Sequence, residues 1–154
     1  MQSMSIRRNL LKIMEIEKTL PRKSRWLQSS FLNRPGKPTL ITCVLPSPRD
    51  KEEILGYAVY QPGVEGIELL RLVVGKPHRR QGYGRQMLMY FKNRLNPESS
   101  PTLSIWVPET NLAAHLFLRA CGLRAVSIAH SIGNTVRPDD YVFEYNVFSA
   151  MVTT

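Results

Sequence analysis

Residues 67–74, IELLRLVV, form a nearly continuous apolar run of strand length, and the chain passes directly from it into GKPHRRQGYGRQML, a basic stretch with two closely spaced glycines. A short apolar run bounded by turn signals reads as a central strand. Beyond the glycines, Gly84, Met87, Leu88, Phe91 and Leu95 fall on one helical face, and Pro97 stops the pattern. A strand, a basic glycine loop and a helix therefore follow one another, which points to an α/β layer architecture.

The flanking segments extend this order. Leu10, Ile13, Met14 and Leu20 make an apolar stripe at helical spacing, ended by Pro21; Trp26 to Leu32 suggests a second short helix, and NRPGKP reads as a loop. TLITCVL (39–45) and ILGYAVYQ (54–61) are β-rich and joined by a polar, proline-containing loop, as in a hairpin. TLSIWV (102–107) alternates as a strand should, and Asn111 is placed to cap a helix whose face is Ala113, Leu116, Phe117, Ala120 and Cys121, with Gly122 as its terminator. Residues 124–130 and YVFEYNV (141–147) read as further strands around the loop GNTVRPDD.

At 154 residues the chain is expected to form one domain, 1–154, large enough for a core without disulfides or metals. No uncharged apolar run approaches the ~18 residues of a membrane span, and Glu15 and Glu17 interrupt the stretch after Arg7 and Arg8 before it reaches the apolar length of a signal peptide. Cys43 and Cys121 both sit in apolar surroundings and read as buried thiols, so a reducing, cytoplasmic location is expected. The net charge of +9 is concentrated in residues 7–37 and 76–94 and favours anionic ligands or partners, without saying which.

The glycine loop lacks the G-x-x-x-x-G-K-[ST] pattern of a P-loop, and Met87 stands where a dinucleotide fingerprint would need its third glycine. Consecutive amides opening a helix could instead receive a pyrophosphate, with Arg79, Arg80 and Arg85 supplying countercharge. From spacing alone, that cradle and a plain basic loop with tight-turn glycines both remain open.

The segment VVGKPHRRQGYGRQML resembles the [QR]-x-x-G-x-[GA] motif of the GNAT superfamily of acetyl-CoA-dependent N-acetyltransferases, with Arg79, Gly82 and Gly84 in the defining positions. Downstream, ETNLAAHLFLRACGLRAV is similar to that superfamily's second motif, and IRRNLLKIMEIEKTL resembles the first helix of its ribosomal-protein-alanine (RimI-like) branch. The resemblance implies a mixed, mostly antiparallel sheet of six to seven strands, splayed between the fourth and fifth, with helices on both faces. It also implies acetyl-CoA as cosubstrate and no metal. The backbone of Leu72, Val73 and Val74 would meet the pantetheine and acetyl group; Arg79, Arg80, Gln81, Gly82, Tyr83, Gly84 and Arg85 would hold the pyrophosphate; Asn111 would contact the cofactor.

The catalytic groups of the RimI-like branch do not carry over. A Glu five residues before the motif asparagine and a Tyr seven after it are replaced here by Trp106 and Leu118. The histone-type branch places its basic Glu where this chain has Glu68, on the strand parity of Leu70 and Leu72; a cleft-facing base and an exposed strand-start Glu both remain open. Trp106 could wall the acceptor pocket, and Tyr141 or Tyr145 could reach the leaving thiolate or simply pack. His115 reads as a boundary residue and His78 as part of the basic rim.

The resemblance thus implies acetyl transfer to a primary amine. The expected acceptor is a protein or peptide N-terminal α-amine, a ribosomal protein included, drawn in by Asp139 and Asp140 in the loop from Asn134 to Asp140. A small-molecule amine and a non-catalytic CoA- or ribosome-binding module are the alternatives. Neither membrane association nor direct nucleic-acid binding is required.

Overall fold

The structure is a computed structural model and describes residues 2–3, 6–31, 39–128 and 140–151. Its elements are β1 (Gln2–Ser3), α1 (Ile6–Lys18), β2 (Ile41–Pro46), β3 (Ile54–Pro62), β4 (Gly66–Val74), α2 (Tyr83–Lys92), β5 (Thr102–Pro108), α3 (Leu112–Ala120), β6 (Arg124–Ile128), β7 (Asp140–Asn146) and α4 (Val147–Met151). The strands form a seven-stranded sheet in the order β1-β2-β3-β4-β5-β7-β6. It is mixed: β4 and β5 run parallel, whereas β1–β2, β2–β3, β5–β7 and β6–β7 are antiparallel. The β4–β5 ladder is short, from Gly66↔Thr102 to Leu69↔Ile105. Among the described residues no helix is long and apolar enough to cross a membrane.

Two compact units partition the chain, Met1–Pro62 with Leu70–Tyr90 and Gly63–Leu69 with Phe91–Thr154. In the first, Ile13 and Ile16 of α1 pack with Phe31, Val44, Ile54, Tyr57, Val59 and Val73 into one apolar cluster. Each such fully buried side chain stabilises the fold by roughly 1.5–3 kcal/mol relative to exposure. Charge is built into this core. Glu17, on the buried side of α1, is 1% exposed and takes Arg71 Nη2 of β4 at 2.7 and 2.9 Å on its two oxygens, while the Tyr57 hydroxyl donates to Oε1. Burial first, and then the bond to Glu17, pushes the Tyr57 phenol well above its ordinary range.

The same carboxylate accepts the Trp26 amide at 2.7 Å, and Arg71 also donates to the Ser24 carbonyl and lies under the Trp26 ring. These contacts explain a difference from the sequence reading. Of the expected short helix only the 3-10 turn Gln28–Phe31 forms among the described residues, while the Trp26 amide is taken by Glu17; Leu32 lies outside the described residues.

In the second unit, β5 pairs with β7 throughout, from Thr102↔Asn146 to Pro108↔Asp140. Strand alternation then divides the sheet: Leu103, Ile105, Val107, Tyr141, Phe143 and Tyr145 share one face, Ser104, Trp106, Val142 and Glu144 the other. Asn111 caps α3 as expected, its Oδ1 accepting from Ala114 N at 3.2 Å. Gly122 ends α3 at φ +81, with Gly122 N on Arg119 O and Leu123 N on Leu118 O. That is a Schellman motif, and its apolar contact pairs two buried side chains, Leu118 and Leu123.

Leu118 is the buried residue of α3 and Leu116 is 58% exposed, so the expected face through Ala113, Leu116 and Ala120 is displaced. The α2 helix stops at Lys92 rather than reaching Leu95, where the backbone tightens into turns bonded to Phe91 and Lys92. The expected loops at NRPGKP and from Asn134 to Asp139 lie outside the described residues, and Asp140 opens β7 opposite Pro108.

Candidate active site

In the first unit the loop after β4 is organised by its own backbone and side chains. Gly75 N bonds Leu55 O at 2.8 Å, a 3-10 turn follows at Lys76–His78, and Arg79 Nε returns to the Val74 carbonyl at 3.1 Å. Gln81 Nε2 bonds Pro77 O. Arg80 has φ +63 and Gly82 φ +86, two left-handed residues separated by one position. Such residues make successive amides converge on a concavity suited to an anion. Immediately after, α2 opens at Tyr83, with its first-turn N–H groups and the positive end of its dipole at the loop.

Nothing lies within 4 Å of a Cβ added at Gly82, so glycine is needed there for its φ and not for space. Arg79, Arg80, Gln81, Gly82 and Arg85 are exposed, and Tyr83 and Gly84 are half-buried. Gly84 lies inside the first turn of α2 and has no positive φ. Of the β4 residues, Val73 is buried and Leu72 and Val74 are half-buried. His78 joins the rim, its Nε2 lying 3.5 Å from Oε1 of Glu53.

The second unit holds a separate cleft of about 270 Å³ on the sheet face opposite α3. Its walls include the Gly63–Gly66 turn, Glu68, Ser104, Trp106 and Glu144. Register explains the grouping: Glu68 pairs with Ser104, and Ser104 with Glu144, so a row crosses three strands on one face. Trp106 lies two residues farther along and donates its indole N–H to Glu68 Oε1 at 2.9 Å. Glu65 completes a set of three carboxylates. Burial, reinforced by the Glu65 charge, raises the Glu144 carboxyl above its ordinary range. Among the described residues no group of three or more His, Cys, Asp or Glu side chains is arranged to hold a metal ion.

The remaining titratable candidates lie elsewhere. Tyr141 and Tyr145 alternate with Glu144 and so occupy the opposite face from Glu68. Tyr141 packs edge-on against His115, and the Lys92 ammonium sits 3.9 Å from the Tyr145 ring centre. His115 is half-buried, touching Phe143 as well, with Nε2 3.0 Å from Pro108 O. It joins α3 to the sheet, as a boundary residue.

A sequence profile of the acetyltransferase (GNAT) family matches residues 8–123, well over half of the chain. The chain belongs to the GNAT acetyltransferase family. No curated protein matches the chain. Among solved GNAT-fold structures, the ribosomal-protein-S18-alanine N-acetyltransferase of Escherichia coli is 20% identical, with 95% of this chain and 92% of that one covered and a TM-score of 0.71. An acetyltransferase of Thermus thermophilus is 24% identical over 72% of this chain and 66% of its own length, TM-score 0.58. A Bacillus subtilis acetyltransferase in complex with CoA is 14% identical over 70% and 76%, TM-score 0.57.

At these identities the structural likeness concerns the GNAT fold. Every site residue expected from the motifs lies inside the matched span, whereas β6 and β7 lie beyond it. Glu65, Ser104 and Glu144 line the Glu68 cleft without any motif in the sequence to mark them. In sequence Glu144 is one polar position in YVFEYNV, and the ladder register places it in the same row as Glu68, with Ser104 between them.

Proposed function

We propose that this protein transfers the acetyl group of acetyl-CoA to a primary amine, and that the acceptor is the N-terminal α-amine of a protein or peptide. The observation carrying the acetyl-CoA reading is the pair of left-handed residues, Arg80 and Gly82, at the opening of α2. Their amides suit a pyrophosphate, Arg79 and Arg85 supply countercharge, and the backbone of Leu72–Val74 together with Asn111 would bind the rest of the cosubstrate. Acetyl-CoA, when bound, supplies an activated thioester carbonyl.

Glu68 is the proposed proton acceptor. It takes the proton of the amine nitrogen as the new N–C bond forms, and the departing thiolate is protonated from solvent. Glu65 and Glu144 make the cleft attractive to a cationic amine before it loses that proton. The likeness to the S18-alanine enzyme over nearly the whole chain supports an α-amine acceptor, ribosomal proteins included. One observation favours a second reading: three carboxylates in one cleft would also suit a small polyamine.

Thiol release from acetyl-CoA, measured against a panel of peptides and polyamines, tests the reaction. Glu68→Gln is expected to lower kcat roughly 10²-fold with acetyl-CoA affinity retained in calorimetry. A wild-type rate for this variant between about pH 6 and 9 would remove Glu68 from the mechanism. Binding of CoA with no release on any amine would favour a binding module.

A further inference from the structure

Glu68 and Trp106 come from neighbouring strands, 38 residues apart in sequence, and meet side chain to side chain at 2.9 Å. The parallel ladder explains how. Glu68 lies opposite Ser104, so Trp106 is the next residue of β5 on the same face and its indole reaches diagonally across. An indole carries one N–H donor on a rigid bicycle with two rotatable bonds, so it fixes its acceptor at small entropic cost. A glutamate has three side-chain torsions, so an acceptor carboxylate needs a partner to hold it in one orientation.

From this geometry we infer that Trp106 is a positioning residue for Glu68: its N–H holds the carboxylate in the orientation from which it receives the amine proton. The inference rests on the proposed role of Glu68 and adds a residue to it. Trp106 acts through Glu68 and itself touches no reacting atom. The alternative for a half-buried tryptophan is a packing wall, whose removal would slow the enzyme whether or not Glu68 carries a carboxylate.

The test is a double-mutant cycle on thiol release. Trp106→Phe is expected to lower kcat about 10-fold with KM for acetyl-CoA unchanged, since small misplacement of a catalytic group costs roughly one to two orders of magnitude. In a Glu68→Gln background the same change is expected to cost nothing further. Equal losses in both backgrounds would overturn the inference while leaving Glu68 as base. An unaltered rate for Glu68→Gln alone would remove the base and the positioning role together.

Placing 3-benzothienylalanine at position 106 keeps the bicyclic shape without the N–H, so full activity in that protein would also overturn the inference. A readout independent of turnover comes from the two tryptophan indole N–H signals in a nitrogen–proton correlation spectrum. In Glu68→Ala one of them is expected to move upfield; if neither moves, the hydrogen bond is absent and the inference falls.

Discussion

At the scale of single residues, the cleft in the second unit is a case of like charges brought together by register. Glu144 is desolvated and faces Glu65, and both effects favour its protonated form. The folded state therefore holds that proton more firmly than the unfolded chain does. The resulting stabilisation is complete below the ordinary value of 4.5 and is lost as pH rises through the raised folded value. Glu144→Gln should accordingly raise Tm at about pH 7 and leave it unchanged at about pH 3. Scanning calorimetry at the two pH values checks this, and an equal shift at both would deny the charge repulsion.

Among the elements, the loop between β4 and α2 is the one whose conformation matters most. Gly82 has φ +86, and a β-branched residue there must either accept strain or pull the loop into another conformation. Gly82→Val should weaken acetyl-CoA binding at least ~10-fold in calorimetry while the far-ultraviolet circular dichroism stays that of the parent, because the position itself has open space around it. Unchanged affinity would mean that the loop does not carry the phosphates.

Element boundaries were legible where local chemistry decided them. Asn111 and Gly122 cap α3 as read, and β2 to β5 begin and end within about two residues of the β-rich and apolar runs read for them. What local patterns missed was decided by distant partners. The Trp26 amide is taken by the Glu17 carboxylate nine residues earlier, and α3 buries Leu118 against the rest of the fold while Leu116 stays exposed. The two residues of β1 and five of α4 are too few to show a period.

For the molecule as a whole, the least legible feature is the charge buried in the first unit. Glu17 reads in sequence as one acidic residue breaking an apolar stretch, yet it is 1% exposed and joins α1, β3 and β4 through Tyr57 and Arg71. Removing one partner strands the other in the core. Arg71→Met is expected to destabilise the protein by about 3–5 kcal/mol in urea unfolding, the usual consequence of leaving a buried charge unpaired. A loss under about 1 kcal/mol would show that the network is solvated.

Of the candidate site, two sequence motifs point to the glycine loop and Asn111, whereas the setting of Glu68 depends on β5, which brings Trp106 to its carboxylate, and on β7, whose Glu144 lies in the same row beyond Ser104. The central claim, acetyl transfer to an α-amine, is tested most directly by one experiment. A peptide beginning with alanine and containing an internal lysine is incubated with acetyl-CoA and enzyme, and the modified atom is located by tandem mass spectrometry. Acetyl on the N-terminal nitrogen alone, formed much more slowly by Glu68→Gln, is the predicted result; acetyl on the lysine side chain, or transfer only to added polyamine, would contradict it.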